Sequence, residues 1–208
     1  MKWDYEFDVV VVGSGNGALT SAICTHDGGA KTLVIEKSNQ YGGTSATSGG
    51  GVWIPNNRYA KAENVDDSDQ DARDYINSVS PEGMIKDELI ETYISEGPKM
   101  IDYLHENSQV KYRNLSHYPD YFPDNPGGKE GNRSMEPEPI NGTILGNDLG
   151  KLREQHPQTA FTMGPLNLNF TQGEGQLLLG ALPGWKTLFA KLFTKYILDL
   201  PMTMKWVW

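Results

Sequence analysis

Short apolar runs alternate with glycine-rich turns at the start of the chain. Residues 7–12 read FDVVVV, a β-branched apolar run of the kind that forms a central parallel strand buried on both faces. Apolar residues at positions 19–23 then recur at helical spacing, and this pattern ends at the glycines of positions 28–29. A second apolar run over residues 32–35 predicts another strand. The order strand, helix, strand predicts a βαβ unit.

The turn after the first strand matches the pattern G-x-G-x-x-A, and each matching residue has a physical purpose. Gly13 allows the tight turn, Gly15 leaves room for a pyrophosphate to approach the backbone, and Ala18 lets the helix pack closely on the strand. Glu36 follows the second strand, where its carboxylate can accept hydrogen bonds from ribose hydroxyls and disfavours a 2′-phosphate. The unit predicts dinucleotide binding, and either FAD or NAD satisfies it.

A second glycine-rich segment, residues 41–55, reads YGGTSATSGGGVWIP. Glycines and small hydroxyl residues expose backbone N–H groups and pack closely against a flat ligand. A flexible linker is the alternative interpretation. The segment ends with Trp53-Ile54-Pro55, residues that flexible linkers avoid, so ligand contact is favoured.

Three segments, VVVVGSGNGA, VIEK and GGTSATSGGGVWIP, together resemble the flavoproteins of the fumarate reductase and succinate dehydrogenase superfamily. Within that group, the tryptophan and proline of the third segment resemble the 3-ketosteroid dehydrogenases. Residues 118–123, YPDYFP, followed by Gly127-Gly128 and by residues 131–134, are similar to the segment that lines the steroid pocket in that subfamily. The resemblance runs from about residue 7 to at least residue 150.

The resemblance implies an α/β fold, in which a Rossmann-like FAD-binding βαβ unit with a parallel sheet precedes a mostly helical, loop-rich substrate-side segment. It implies that residues 1–150 are the N-terminal part of the FAD-binding domain, including the pocket-lining loop. Residues 151–208 are then the start of a substrate or cap domain. Chains of this family continue further and carry their base tyrosine in the later part. The sequence is therefore expected to be incomplete at its C-terminus, and supplying the later part is expected to restore activity.

The resemblance also implies which residues hold the FAD cofactor. The residues expected to hold the pyrophosphate are Gly13, Ser14, Gly15, Gly17 and Ala18. Glu36 is expected at the adenosine ribose, and Lys37 beside the adenosine. The residues expected along the pyrophosphate and the isoalloxazine are Gly43, Thr44, Ser45, Ser48, Gly49 and Gly50.

Two tyrosines are the candidate substrate-side residues. By the resemblance, Tyr121 is a catalytic tyrosine that hydrogen-bonds a second tyrosine, the base that removes a proton next to the 3-keto group. Tyr118 is implied as an aromatic wall of the substrate site. From the residues alone, a structural aromatic in a turn-rich loop is the favoured interpretation of Tyr121. A tyrosine base with a pKa of about 10 needs neighbouring hydrogen bonds to act near neutral pH.

The middle of the chain has helical periodicity. One amphipathic helix is predicted over residues 72–79, after the capping residues Asp67 and Ser68. A second is predicted at residues 89–94, and Gly97-Pro98 is expected to separate it from a short third helix at residues 100–104.

Irregular structure and one further helix are predicted in the rest of the chain. A strand near residues 110–112 precedes a glycine- and proline-rich loop over residues 119–142, which its length suggests is functional. Residues 185–200 carry apolar residues at helical spacing with lysines opposite. Such a helix can lie on an anionic membrane, but a helix that packs in a protein core is favoured.

Composition excludes several classes of partner. The net charge of −9 argues against nucleic-acid binding, which needs a basic surface. The single cysteine, Cys24, cannot form an internal disulfide, and with no secretory signal at the start the expected location is the cytoplasm. No apolar run approaches the roughly 18 residues of a membrane span. The histidines have no metal-ligand spacing, so no metal is expected.

The leading hypothesis is an FAD-dependent oxidoreductase of the 3-ketosteroid dehydrogenase type, acting on a small ketosteroid-like substrate. Fumarate reduction and Δ4 dehydrogenation of a ketosteroid are alternatives within the same superfamily. A non-catalytic remnant that binds flavin weakly is an alternative of a different class. The sequence does not identify the electron acceptor.

Overall fold

The computed structural model describes residues 3–156, 162–163, 166–167, 171–180, 183–199 and 206–207. These residues divide into two compact units. Unit 1 comprises Met1–Gly50, Pro139–Phe170 and Glu174–Trp208, and unit 2 comprises Gly51–Glu138 and Thr171–Gly173. The predicted boundary at residue 150, between the FAD-binding part and the substrate or cap part, is a division by function. It stays a prediction.

The described helices are α1 (Asn16–Asp27), α2 (Arg58–Ala62), α3 (Asp69–Val79), α4 (Asp87–Asn107), α5 (Gln172–Leu179) and α6 (Trp185–Asp199). The strands are β1 (Val9–Val12), β2 (Thr32–Ile35), β3 (Val52–Trp53), β4 (Tyr112–Asn114), β5 (Ser134–Pro137), β6 (Ile140–Asn141), β7 (Thr162–Met163), β8 (Leu166–Asn167) and β9 (Trp206–Val207). Short 3₁₀ segments lie at Ser45–Thr47 and Gly142–Lys151.

Unit 1 contains the predicted βαβ unit. Strands β1 and β2 pair in parallel with Val9 opposite Thr32, and α1 connects them. The helix ends as predicted at the glycine pair, where Gly29 has a φ of +85°. The predicted burial of β1 on both faces is wrong for the described residues, because Val10 is 52% and Val12 is 78% exposed. Partly buried and exposed residues alternate along β1, so one face of the described two-stranded sheet is exposed.

Unit 2 is a small antiparallel sheet with helices. Its strand order is β3-β5-β4, and both pairings are antiparallel. A core of Ile54, Ile101, Tyr112 and Met135 joins the sheet to α4. A second apolar cluster consists of Ala72, Ile90 and Ile94, and it joins α3 to α4.

Helix α4 is continuous through Gly97-Pro98, so the predicted interruption is wrong. Proline removes one backbone hydrogen bond inside a helix, which is destabilising. Here the buried residues Ile90 and Ile94 precede the proline and Ile101 follows it, so both halves pack into the interior of unit 2. Tertiary burial therefore outweighs the local helix-breaking preference.

Helix α3 begins with a side-chain cap that can be tested. The Ser68 hydroxyl accepts a hydrogen bond of 3.0 Å from the Asp71 N–H. We expect Ser68→Ala to lower the free energy of unfolding by about 1 kcal/mol, the usual value of such a cap. Urea unfolding followed by circular dichroism measures it. Ser95→Ala, inside α4, is the control and should cost nothing or stabilise slightly; equal losses would mean that the cap contributes nothing specific.

The segment at residues 110–142 is more regular than predicted. The expected strand lies two residues later, as β4, and β5 and β6 lie within the stretch predicted to be a loop. The helix predicted near the end of the chain is present as α6, although Leu200 lies outside the described residues. None of the described helices is long and apolar enough to span a membrane.

Candidate functional site

The turn between β1 and α1 exposes backbone N–H groups at the helix N-terminus. Gly13 has a φ of +97°, which favours glycine, and its N–H donates to the Ile35 carbonyl at 2.7 Å. Gly15 is the N-cap residue of α1, and no side-chain cap accepts a hydrogen bond there. Among the described residues, no group accepts a hydrogen bond from the N–H of Gly17 or Ala18. Free N–H groups and the positive end of the helix dipole form a site suited to a phosphate.

The second glycine-rich segment lies directly against this turn. A Cβ on Gly43 would lie 3.3 Å from the backbone of Gly15, and the φ of Gly43 is +56°. The Ser45 hydroxyl accepts a hydrogen bond of 3.0 Å from the Asn16 N–H. The structure therefore brings together two segments that are separated along the chain, as the dinucleotide hypothesis requires.

The rest of the second segment is a series of tight turns with exposed polar groups. The Ser48 hydroxyl donates to the Ser45 carbonyl at 2.9 Å and accepts from the Gly50 N–H at 3.1 Å. Thr44, Ser48 and Gly49 are exposed, and a Cβ on Gly49 would meet no atom within 4 Å. The segment leaves an open surface of the kind that a cofactor can cover.

Glu36 is held in place by hydrogen bonds to its carboxylate. The Ser14 hydroxyl donates to one oxygen at 2.5 Å, and the Ser38 N–H donates to the other at 3.0 Å. The bond from Ser14, followed by that from Ser38, lowers the pKa of Glu36. The carboxylate is therefore ionised and has lone pairs left for ribose hydroxyls. Lys37, beside it, is exposed.

These features fit the adenosine diphosphate part of FAD. The uncapped helix offers donors to a pyrophosphate, and the glycines at positions 13–17 leave no Cβ in its path. The ionised Glu36 offers acceptors at the end of β2. No cluster of residues suited to a metal ion occurs in the part of the chain that the structure describes.

Gly17 gives a test in which stability and cofactor binding change in opposite directions. A Cβ there would meet no protein atom within 4 Å, and the residue lies in the first turn of α1. We expect Gly17→Ala to stabilise the FAD-free protein by up to about 1 kcal/mol, because alanine favours helix. The added methyl should weaken FAD binding, measured by equilibrium dialysis. Cys24→Ala, exposed on the same helix, should leave FAD binding unchanged; an unaltered affinity in Gly17→Ala contradicts a pyrophosphate there.

The tyrosines predicted for the substrate side lie together in unit 2. Tyr121 is 83% exposed, and Tyr118 is partly buried next to it. The pKa of Tyr121 is raised, first by the charge of Tyr118 and then by a hydrogen bond with it. Tyr121 is therefore protonated at neutral pH and can donate a hydrogen bond. This position is compatible with the role predicted for Tyr121 but does not test it.

A buried ion network holds the tyrosine segment (residues 118–123), and the sequence did not indicate it. Arg133 is only 1% exposed, and its guanidinium bonds Asp67 at 2.6 Å and Asp120 at 2.9 Å. Asp120, which precedes Tyr121, also accepts a hydrogen bond of 2.6 Å from the Trp53 indole. A sequence signal for this network was Arg133 itself, because it stands among small and turn-forming residues at positions 131–134.

Aromatic rings complete the surroundings of Arg133. Its guanidinium carbon lies 5.4 Å from the Trp53 ring centre and 5.8 Å from that of Tyr75. The Tyr75 hydroxyl accepts a hydrogen bond of 3.3 Å from the Phe122 N–H, on the other side of Tyr121. Both neighbours of Tyr121 in the chain are therefore fixed, while its own ring is exposed.

Known proteins resemble both the sequence and the structure. Residues 8–189 match the family model described as FAD binding domain. The chain is 40% identical to the 3-oxosteroid 1-dehydrogenase of Mycobacterium tuberculosis over 163 residues, which are 78% of this chain and 28% of that relative. It is 38% identical to the 4-oxocyclohexanecarboxylate 2-dehydrogenase of Sinomonas cyclohexanicum over 157 residues, which are 76% of this chain and 27% of that relative.

A solved structure extends the likeness to the fold. The 3-ketosteroid delta1-dehydrogenase from Sterolibacterium denitrificans, in complex with 1,4-androstadiene-3,17-dione, matches with a TM-score of 0.86 and 36% identity. The match covers 97% of this chain and 36% of that one, so the chain spans about a third of its length. The predicted α/β class, the family resemblance and the FAD cofactor are confirmed. With the family model matching residues 8–189, the chain belongs to the FAD-binding domain family, whose cofactor is FAD.

Proposed function

We propose that the protein is an FAD-dependent dehydrogenase that desaturates a C–C bond next to the ketone of a 3-ketosteroid-like substrate. One observation carries the proposal: 36% identity with a TM-score of 0.86 to a ketosteroid dehydrogenase over 97% of this chain. The relative from Sinomonas cyclohexanicum is named for 4-oxocyclohexanecarboxylate, which is not a steroid but also carries a ketone on a ring. A ring ketone is therefore the feature that its named substrate has in common with a 3-ketosteroid. We place the protein in the cytoplasm, on the basis of its cysteine usage.

The cofactor residues of the proposal are those of unit 1. The N–H groups of Gly17 and Ala18 bind the pyrophosphate, and Glu36 accepts from the ribose hydroxyls. The segment at residues 43–50 lies along the pyrophosphate and the isoalloxazine. When bound, FAD supplies the group that accepts a hydride. The hydride comes from the substrate carbon adjacent to the carbon that loses a proton.

The proposed substrate residues are Tyr118 and Tyr121. Tyr118 forms an aromatic wall against the flat, apolar substrate. The protonated Tyr121 donates a hydrogen bond to the base that removes the proton next to the ketone, which stabilises the anionic form of that base. Residues 151–208 begin the part of the protein that covers the substrate.

The test is reduction of a redox dye by the purified protein, supplied with the later part in which chains of this family carry their base tyrosine, with added FAD and a saturated 3-ketosteroid. We expect steroid-dependent dye reduction and a product with a new double bond next to the ketone. Mass spectrometry and NMR of the product distinguish Δ1 from Δ4 dehydrogenation. Fumarate turnover with a reduced dye, and no response to the steroid, would replace the proposal with fumarate reduction. FAD binding without turnover of either substrate would favour a non-catalytic remnant.

A further inference from the structure

The hydroxyl group of Ser14 has a role distinct from phosphate binding. Ser14 is buried, with an exposed fraction of 3%. Its hydroxyl donates to the Glu36 carboxylate at 2.5 Å and accepts from the Gly42 N–H at 2.9 Å. These three residues come from the β1–α1 turn, the end of β2 and the second glycine-rich segment.

Hydrogen-bond capacity decides what this hydroxyl can do. A serine hydroxyl has one proton to donate, and here the proton goes to Glu36. A pyrophosphate oxygen is an acceptor, so it needs a donor that the Ser14 hydroxyl no longer has. The hydroxyl therefore cannot bind the pyrophosphate without giving up a charge-assisted bond to a carboxylate.

The same bond orients the group that binds the ribose. A carboxylate accepts about four hydrogen bonds, and Glu36 uses one for Ser14 and one for the Ser38 N–H. Its remaining lone pairs are available because the residue is only partly buried. Fixing the carboxylate before the ligand arrives reduces the conformational entropy lost on binding.

We propose that Ser14 is a positioning residue for FAD, which holds Glu36 in the orientation that binds the ribose and ties it to the backbone of Gly42. Through Gly42 it also fixes the start of the segment that lies against Gly15. The ribose contact and the second glycine-rich segment are thereby linked by one buried hydroxyl.

The first test measures FAD affinity in Ser14→Ala by equilibrium dialysis. We expect the dissociation constant to rise about tenfold, as for loss of one hydrogen bond to a charged group. Ser21→Ala is the matched control, because among the described residues its hydroxyl bonds only the Gly17 carbonyl of its own helix; FAD affinity there should be unchanged. Ser14→Cys keeps the side-chain size with a weaker donor, and it serves if Ser14→Ala does not fold. Unaltered affinity in the folded Ser14 variant overturns the proposal.

A double-mutant cycle separates positioning from direct contact. In a Glu36→Ala background, Ser14→Ala should change FAD affinity by less than about threefold, because the carboxylate it positions is gone and only its bond with the Gly42 N–H remains. If the two losses multiply, Ser14 does not act through Glu36 and the proposal is overturned. Thermal unfolding of each FAD-free variant shows that the affinities compare folded proteins.

Discussion

Arg133→Met should lower the free energy of unfolding by about 3–5 kcal/mol, the cost of leaving buried carboxylates without their partner. Arg133 and both of its acidic partners, Asp67 and Asp120, have side chains at most 4% exposed. Methionine has a similar length and packs against the aromatic rings, so the loss comes from charge and hydrogen bonding rather than from a cavity. Urea unfolding of the protein, followed by circular dichroism, measures it.

Two further variants show whether burial is the cause. Arg73 forms an ion pair with Glu91, but the two side chains are 32% and 50% exposed. Arg73→Met should therefore cost no more than about 1 kcal/mol. Arg133→Lys keeps the charge without the planar fork that bonds two carboxylates, so it should recover only part of the loss. A loss below about 1 kcal/mol in Arg133→Met would mean that the network does not hold the tyrosine segment.

The βαβ unit could be predicted from the sequence because its signals are local. The valine run, the glycines of the turn and the apolar residues at 32–35 each determine a short stretch of backbone. The predicted bounds of β2 and the end of α1 match the structure. The local pattern could not predict that Val12 is exposed, because exposure depends on which elements pack against the sheet.

The arrangement of unit 2 depends on contacts between distant residues, which a local pattern does not contain. Asp67 and Arg133 are 66 residues apart in sequence, so neither alone indicates an ion pair. Of the two predicted capping residues, Ser68 caps α3, whereas the Asp67 carboxylate bonds Arg133. Pro98 likewise has a local preference that burial of the surrounding helix overrides.

The glycines after Tyr121 show the same dependence on tertiary contacts. A Cβ on Gly127 would overlap the Asp71 carbonyl of α3, and its φ is +73°. A Cβ on Gly131 would overlap the Ser116 carbonyl. They were expected in a long, functional loop, whereas they allow the backbone to pack closely against α3 and against the chain at Ser116. A glycine-rich stretch in a sequence therefore fits either a mobile loop or a tightly packed one.

Tyr121→Phe should lower kcat about a hundredfold, within the range for losing one group that assists proton transfer. The variant removes only a hydroxyl from a side chain that is 83% exposed. Stability should therefore change by less than about 0.5 kcal/mol, and FAD content should stay the same. Steady-state dye reduction with a 3-ketosteroid, by the protein supplied with the later part that carries the base tyrosine, gives kcat, and the flavin absorbance of the purified variant gives the FAD content.

The contrast between kcat and FAD content is what distinguishes a catalytic tyrosine from a structural one. Tyr5→Phe is the matched control, because Tyr5 is 80% exposed and lies outside the tyrosine segment; it should change neither quantity. Equal losses of kcat and FAD in Tyr121→Phe would assign Tyr121 a structural role. An unchanged kcat would remove it from the reaction. The hydrogen bonds that hold Asp120 and Phe122 on either side do not involve the Tyr121 hydroxyl, so the backbone at residue 121 keeps its position in the variant. A selective loss of kcat then reports on the hydroxyl and its bond with Tyr118.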